Sequence, residues 1–509
     1  MGQTVRQLTV MDASYLYLET AEVPMHVGSL SIFRLPETNR GDFFEGLKAL
    51  IGRRLHLAPM LAWKLASTPL DIHRPSWIED DQFDIDRHVF RGALPAPADL
   101  PTLQRQVGWL HAMPLNRARP LWEIYVFDGL PDRQVAVYSK MHHACIDCGA
   151  GAAMVQLIYE LSPTPKSSSK GDKNRKPSRK SEDVSFLSSL VTSSLEFWKL
   201  DGKSTARTPI DLPRTGKTDL GSVLVDALVQ GVQQTHRIAT SLPDILKVVG
   251  DIGGKLTTPG SLEDLQKFAA PQTPLNGMVT SERSFATASL SLTRIRAVAK
   301  ASGVKLNDVI LAICSGALRD HLKKTGDLPK RSLTSFVPVS TRMEGDKSAS
   351  NQVIGMICPL FTEVADPKKR LELIEGHALK AKEVTSPLKQ FMPLVTDAVT
   401  LGSPVGMRVA SLLFSRLKLA DLLPPPANVV ISNVIGPETT LFANGAELLH
   451  AFPVSVVGHT FGLNITLQSY RDNVDFGLIA ASNVLPDPQP MANSLEKQLI
   501  DLEAAYGIG

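Results

Sequence analysis

Cysteine is scarce in this chain, with 4 residues in 509. They lie at Cys145, Cys148, Cys314 and Cys358, without the spacing of a disulfide framework, so a stapled secreted scaffold is excluded and a reducing cytoplasm is expected. Net charge is also nearly absent, at +3, which argues against a nucleic-acid partner. No apolar run is long enough to span a bilayer. The longest candidates, around residues 388–416, are cut by Lys389, Asp397 and Arg408. The segment Met1–Arg6 lacks the apolar core of a signal peptide. A cytoplasmic protein is therefore expected, with any membrane contact only at a surface. No solenoid-type repeat is found. What is present is ordinary globular material, 43% hydrophobic and 21% charged, long enough for two domains or one large two-part unit.

The informative stretch is Met141-His142-His143-Ala144-Cys145-Ile146-Asp147-Cys148-Gly149. Arg133–Lys140 upstream alternates as a strand does. Period 2 puts Val135, Val137, Ser139, Met141 and His143 on one face, and Ala136, Tyr138, Lys140 and His142 on the other. The two histidines are thus expected to do different jobs. Gly149–Ile158 reads as a glycine-opened helix for which Asp147 suits the N-cap. Strand, histidine, tight turn and capping aspartate make a rigid mount for one imidazole, which a general base needs. Cys145 and Cys148 also raise a metal reading. Zinc sites draw four ligands, though, often from two such pairs, and Cys314 and Cys358 are far off and unpaired in spacing. No metal is expected.

Along the chain, residues 1–163 read as a mixed strand-and-helix unit carrying the histidine motif. Residues 164–275 read as a connector. It opens with a basic stretch (Lys170, Lys173, Arg175, Lys176, Arg179, Lys180) and continues helically over 184–250, where Leu220, Leu224, Ala227, Leu228 and Gly231 form a stripe. The basic stretch is a solvated linker, or it meets anionic headgroups at about 1 kcal/mol per basic residue. Residues 276–509 form a second strand-and-helix unit. Lys305–Asp308 is expected to lead into a helix over Val309–Leu322 with Asn307 or Asp308 at its N-cap. Strands follow from Asn428 to Ser482, then a closing amphipathic helix with Leu495, Leu499 and Leu502.

His142-His143-x-x-x-Asp147 resembles the active-site motif of the bacterial wax ester synthase/diacylglycerol acyltransferase family. That family lies within the coenzyme A-dependent acyltransferases that include chloramphenicol acetyltransferase and peptide-synthetase condensation domains. The likeness continues through Met11–Ser14 and Pro24–Leu30, Pro120-Leu121-Trp122-Glu123, Leu306–Ala312, Ile431–Pro437 and Gly462–Thr466. Where the family has glycine after the aspartate this chain has Cys148, with Gly149 following, which puts rate and substrate preference in question but not the histidines. The resemblance implies an α/β (α+β) fold of two chloramphenicol-acetyltransferase-like halves, each a mixed sheet flanked by helices, around a central tunnel. It implies transfer of a long-chain acyl group from acyl-CoA, as co-substrate and with no bound cofactor, to a fatty alcohol or diacylglycerol.

On this reading His143 is the general base, since a thioester already carries a good leaving group and needs no enzyme nucleophile. Asp147 orients the turn, and His142, Cys148, Gly149 and Asp308 support the site. Asn307 is either an oxyanion donor or only a helix cap. Pro120, Leu121 and Trp122 either shape the acyl-CoA site or pack in the core. Two other readings remain, a carrier-protein-dependent acyltransferase of the same superfamily and a non-catalytic lipid-binding or droplet-surface protein.

Overall fold

The computed structural model describes residues 4–37, 41–66, 75–148, 150–163, 215–217, 269–340, 353–384, 407, 411 and 414–508. The basic stretch and the helical stripe expected over 184–250 lie outside the described residues.

In the first half the elements are β1 (Thr4–Gln7), α1 (Val10–Leu18), β2 (His26–Arg34), α2 (Phe43–Arg54), β3 (Trp63–Ala66), β4 (Ser76–Glu79), β5 (Val89–Gly92), α3 (Leu100–Ala112), β6 (Trp122–Leu130) and β7 (Gln134–His142). A 3₁₀ turn over His143–Cys148 leads to α4 (Ala150–Ile158), and a short β8 (Thr215–Lys217) follows. The second half comprises β9 (Arg283–Ser291), α5 (Leu292–Ser302), α6 (Leu306–Thr325), β10 (Thr334–Ser340), β11 (Val353–Pro359), α7 (Pro367–Val384), α8 (Leu419–Leu422), β12 (Val429–Val434), β13 (Phe442–Ala443), β14 (Ala446–Val454), β15 (Leu463–Tyr470), β16 (Asn473–Ala481) and α9 (Gln489–Ala505).

Two six-stranded sheets carry the molecule, in the orders β13-β14-β2-β7-β6-β5 and β11-β10-β12-β15-β16-β9. Both are mixed, because β5 pairs parallel with β6 while β12 pairs parallel with β10 and β15. This is the mixed α/β architecture expected from the sequence. The halves interlock, since β13 and β14, from the second half, complete the first sheet by antiparallel pairing of β14 with β2. In the second sheet Asp475 on β16 secures that crossing, accepting the Ala451 N–H at 2.7 Å and facing His450 Nδ1 at 3.0 Å.

The period-2 pattern of β7 decides what each face meets. Val135, Val137 and Met141 pack into a core with Ala13, Leu16, Leu47 and Leu157 from α1, α2 and α4. Ala136 and Tyr138 pack oppositely, against Leu103, Val107 and Leu110 of α3 and against Phe285 and Ile479 of the second sheet. Helix α3 therefore lies in the seam between the sheets. A Cβ at Gly108 would stand 2.5 Å from the Arg283 carbonyl, so only glycine lets α3 approach β9 this closely.

Among the described residues no single helix is long and apolar enough to cross a membrane. The bent pair α5 and α6 passes such a test together, but α6 is the central helix of the second core, with Val309, Ile313, Cys314 and Leu318 fully buried.

Candidate active site

β7 ends at His142 and the chain turns at His143. The amide of His143 donates to the Met25 carbonyl at 2.8 Å, just before β2, and its half-buried ring stacks on Tyr15 of α1 with centroids 3.9 Å apart. Nδ1 of His143 is buried and has no hydrogen-bond partner among the described residues. Burial, and after it the adjacent His142, push the imidazole pKa down to about 4. The ring is thus neutral, and able to accept a proton, throughout the ordinary pH range.

His142 faces the other way, as the strand period requires. Its ring is buried, Nδ1 accepts the Ala144 N–H at 3.1 Å, and Nε2 stands 3.4 Å from Glu19 Oε1. An imidazole that accepts at Nδ1 carries its proton on Nε2 when neutral, which sets that N–H at ion-pair distance from the carboxylate without an aligned hydrogen bond among the described residues. His26, the cross-strand partner of His142, sets its own Nε2 3.4 Å from the same oxygen. Arg117 grips the other carboxylate oxygen at 2.6 and 3.2 Å. Burial acts to raise the Glu19 pKa. The contacts with His142, His26 and Arg117 outweigh it and hold the carboxyl well below the usual range.

Behind these groups, His111 of α3 meets Tyr138 Oη at 2.8 Å and the Ser455 carbonyl at 3.0 Å. Buried Lys140 donates to the Leu110 and Met113 carbonyls, both at 2.8 Å. Sequence reasoning missed Glu19, Tyr15, His111 and Lys140 as parts of this assembly, and took His26 only as part of a family block. Tyr15 and Glu19 do stand four residues apart, the spacing of one helix face. The strand register that sets His26 opposite His142 has no local signal.

Asp147 lies within the 3₁₀ turn, and α4 starts three residues later at Ala150. Asp147 is therefore not the residue next to the helix, as the expected N-cap would be. The side chains of Asp147 and Cys148, and Gly149 itself, lie outside the described residues.

The cap assignment of α6 is corrected as well. Its N-cap is Lys305, Asn307 is the second helical residue, and the Asp308 carboxylate reaches back to accept the Lys305 N–H at 3.2 Å. A capping-box acceptor belongs three residues past the cap, which is where Asp308 stands. Asn307 is half-buried and makes no side-chain hydrogen bond among the described residues. No described contact joins it to His143.

Pro120, Leu121 and Trp122 are buried. Trp122 donates from Nε1 to the Leu61 carbonyl at 2.7 Å and stacks on His88 at 4.5 Å. Leu121 and Trp122 also line an apolar pocket with Leu61, Trp77, Met141 and Cys145, on the sheet face that His143 shares.

The site is thus a neutral, desolvated imidazole at a strand-to-turn junction, held between two interlocked mixed sheets, and the comparisons with known proteins give its class as an acyltransferase. The model of the wax ester synthase/diacylglycerol acyltransferase catalytic domain matches residues 8–310, and that of the WS/DGAT C-terminal domain matches residues 349–503. A probable diacylglycerol O-acyltransferase of Mycobacterium tuberculosis is 34% identical, with 98% of each chain covered. The O-acyltransferase WSD of Acinetobacter baylyi is 31% identical over 97% of this chain and 96% of its own. Among solved structures, the wax ester synthase/diacylglycerol acyltransferase from Marinobacter aquaeolei VT8 aligns at 28% identity with a TM-score of 0.65, covering 98% of this chain and 100% of that one. The chain belongs to the wax ester synthase/diacylglycerol acyltransferase family.

Proposed function

We propose that this protein moves a long-chain acyl group from acyl-CoA to the hydroxyl of a fatty alcohol or a diacylglycerol, giving a wax ester or triacylglycerol, with His143 as general base. The observation that carries the reading is the half-buried, neutral imidazole of His143 at the turn of the family's motif. The imidazole takes the acceptor's proton as its oxygen attacks the thioester carbonyl, then passes that proton to the departing thiolate. Asn307, whose side-chain amide makes no hydrogen bond among the described residues, is the candidate donor to the oxyanion, and Asp147 orients the turn with Cys148 and Gly149 beside it. Asp308 supports Asn307 by fixing the first turn of α6.

Leu121 and Trp122 act from the core, as the wall of the apolar pocket beside Met141 and Cys145. Residues 1–163 and 276–509 work as two halves of one catalytic unit, joined by the strand exchange of β14. The basic residues of 164–183 draw the enzyme to an anionic membrane or inclusion surface, where its acceptor resides.

The test is release of free thiol from palmitoyl-CoA by purified protein, with hexadecanol or a diacylglycerol as acceptor and the lipid product identified by mass. Acceptor-dependent release that His143→Ala abolishes is the expected result. Release that survives His143→Ala removes the assigned base. No release from free acyl-CoA with either acceptor moves the protein to carrier-dependent chemistry or to lipid binding without catalysis.

A further inference from the structure

We propose that Glu19 is the positioning residue for His143, holding through one carboxylate oxygen the two backbone amides that fix the catalytic turn. The proposal rests on the reading of His143 as the base. Oε1 of Glu19 accepts the Met25 N–H at 3.1 Å, and the Met25 carbonyl in turn accepts the His143 N–H at 2.8 Å. The same oxygen faces His142 Nε2 at 3.4 Å, and His142 Nδ1 accepts the Ala144 N–H at 3.1 Å. The amides of His143 and of the residue after it are therefore each one link from a single buried oxygen, by separate routes. The second route depends on the tautomer of His142, because only a ring with its proton on Nε2 accepts at Nδ1.

The carboxylate is itself held in place. Glu19 is the C-cap residue of α1, its backbone N–H donating to the Tyr15 carbonyl at 3.2 Å, and Arg117 ties its carboxylate to that helix by donating to the Leu16 carbonyl at 2.8 Å as well. One turn earlier the same helix presents Tyr15, whose ring stacks on the imidazole of His143. Helix α1 thus sets the plane of the His143 ring with one side chain and the path of its backbone with another. Stability alone does not call for this device, since a buried ion pair is commonly replaceable by apolar packing at no loss. Placement of a base does, because an error of about 1 Å costs on the order of 10²-fold in rate.

The experiment compares wild type, Glu19→Gln, Glu19→Ala and His143→Ala as purified full-length proteins, with palmitoyl-CoA and hexadecanol. Circular dichroism establishes that each is folded. An amide has one acceptor oxygen where the carboxylate has two, so the isosteric Gln variant cannot serve Arg117 with one oxygen and Met25 and His142 with the other. The expected result is a kcat lower by about tenfold in Glu19→Gln and about 10²-fold in Glu19→Ala, with KM for palmitoyl-CoA unchanged. The ¹⁵N imidazole spectrum should show His142 protonated on Nε2 in wild type and a mixture of tautomers in Glu19→Ala.

Wild-type kcat in folded Glu19→Gln and Glu19→Ala, beside an inactive His143→Ala, overturns the positioning role and leaves the base in place. A lower kcat with the His142 tautomer unchanged overturns the route through His142 and supports the route through Met25 alone. An active His143→Ala overturns the base reading itself, whatever the Glu19 variants do. Should Glu19→Ala not fold, the kcat and the His142 spectrum of Glu19→Gln decide.

Discussion

The acid side of the pH–rate profile tests the site most directly. An imidazole with the ordinary pKa of about 6.5 is only about 10% neutral at about pH 5.5, whereas one at about 4 is about 97% neutral there. If His143 is the base, kcat/KM should fall little between about pH 8 and about pH 5.5, instead of dropping roughly tenfold. The assay is initial-rate thiol release at subsaturating palmitoyl-CoA, read with a probe that works below neutrality. Stability has to be followed in parallel. With the folded pKa below the unfolded one, the unfolded chain binds more protons between the two values. Stability from this group is therefore complete above about pH 6.5 and is lost as pH falls through the window to about 4, by up to about 3 kcal/mol. His26 and His111, also depressed by burial, act with the same sign. A limb centred near 6.5 in protein that is still folded would refute the desolvated-base argument.

Other substitutions separate roles that the sequence left joined. His142→Ala should reduce kcat less than His143→Ala, yet cost about 2–3 kcal/mol of stability, because the buried Ala144 N–H loses its acceptor; thermal melts beside kinetics check this, and a greater kcat loss than in His143→Ala would contradict it. Asn307→Ala should lower kcat by about 10²–10³-fold while the melting temperature hardly moves, since Asp308 caps the helix. A stability loss with kcat intact would leave Asn307 as a helix residue only. Trp122→Ala should destabilise by about 3–5 kcal/mol through its lost packing and its bond to Leu61, whereas Trp122→Phe should keep KM for palmitoyl-CoA close to wild type. A tenfold rise in KM in the folded Phe variant would assign the ring to acyl-CoA binding instead.

The sequence showed those parts of the fold that repeat with a local period. Alternation over residues 133–140 divides β7 into the two faces that the structure packs into different cores. The leucines at 495, 499 and 502 lie on the buried side of α9. Caps were harder to read. Asn307 and Asp308 are good capping types, but Lys305 took the cap and left Asp308 the reciprocal bond. Long-range pairings were invisible. Nothing local sends residues 446–454 back to β2, and nothing local brings Glu19 within reach of His142 and His26. The motif histidines were found because they stand at fixed spacing in one short stretch, while the carboxylate between His142 and His26 comes from another element.

The depressed pKa of His143 also bears on which proton transfer is difficult. An alcohol has a pKa near that of water, about 15.7, so a base whose conjugate acid has a pKa of about 4 cannot deprotonate it before attack. The proton must move as the carbon–oxygen bond forms, while donors hold the charge growing on the carbonyl oxygen. The second transfer has the opposite bias. A thiol of pKa about 8.5 is a far weaker acid than the imidazolium, so protonation of the departing thiolate runs downhill. A desolvated histidine therefore makes collapse to product easy and concentrates the barrier in the attack step. Attack is the step most sensitive to the angle and distance of the imidazole, which gives the brace from α1 its catalytic value. Variants that loosen the brace should consequently slow turnover least for the acceptors that part with their proton most easily, with more acidic alcohols losing less rate than hexadecanol. Equal losses across a series of acceptors would place the defect after the attack.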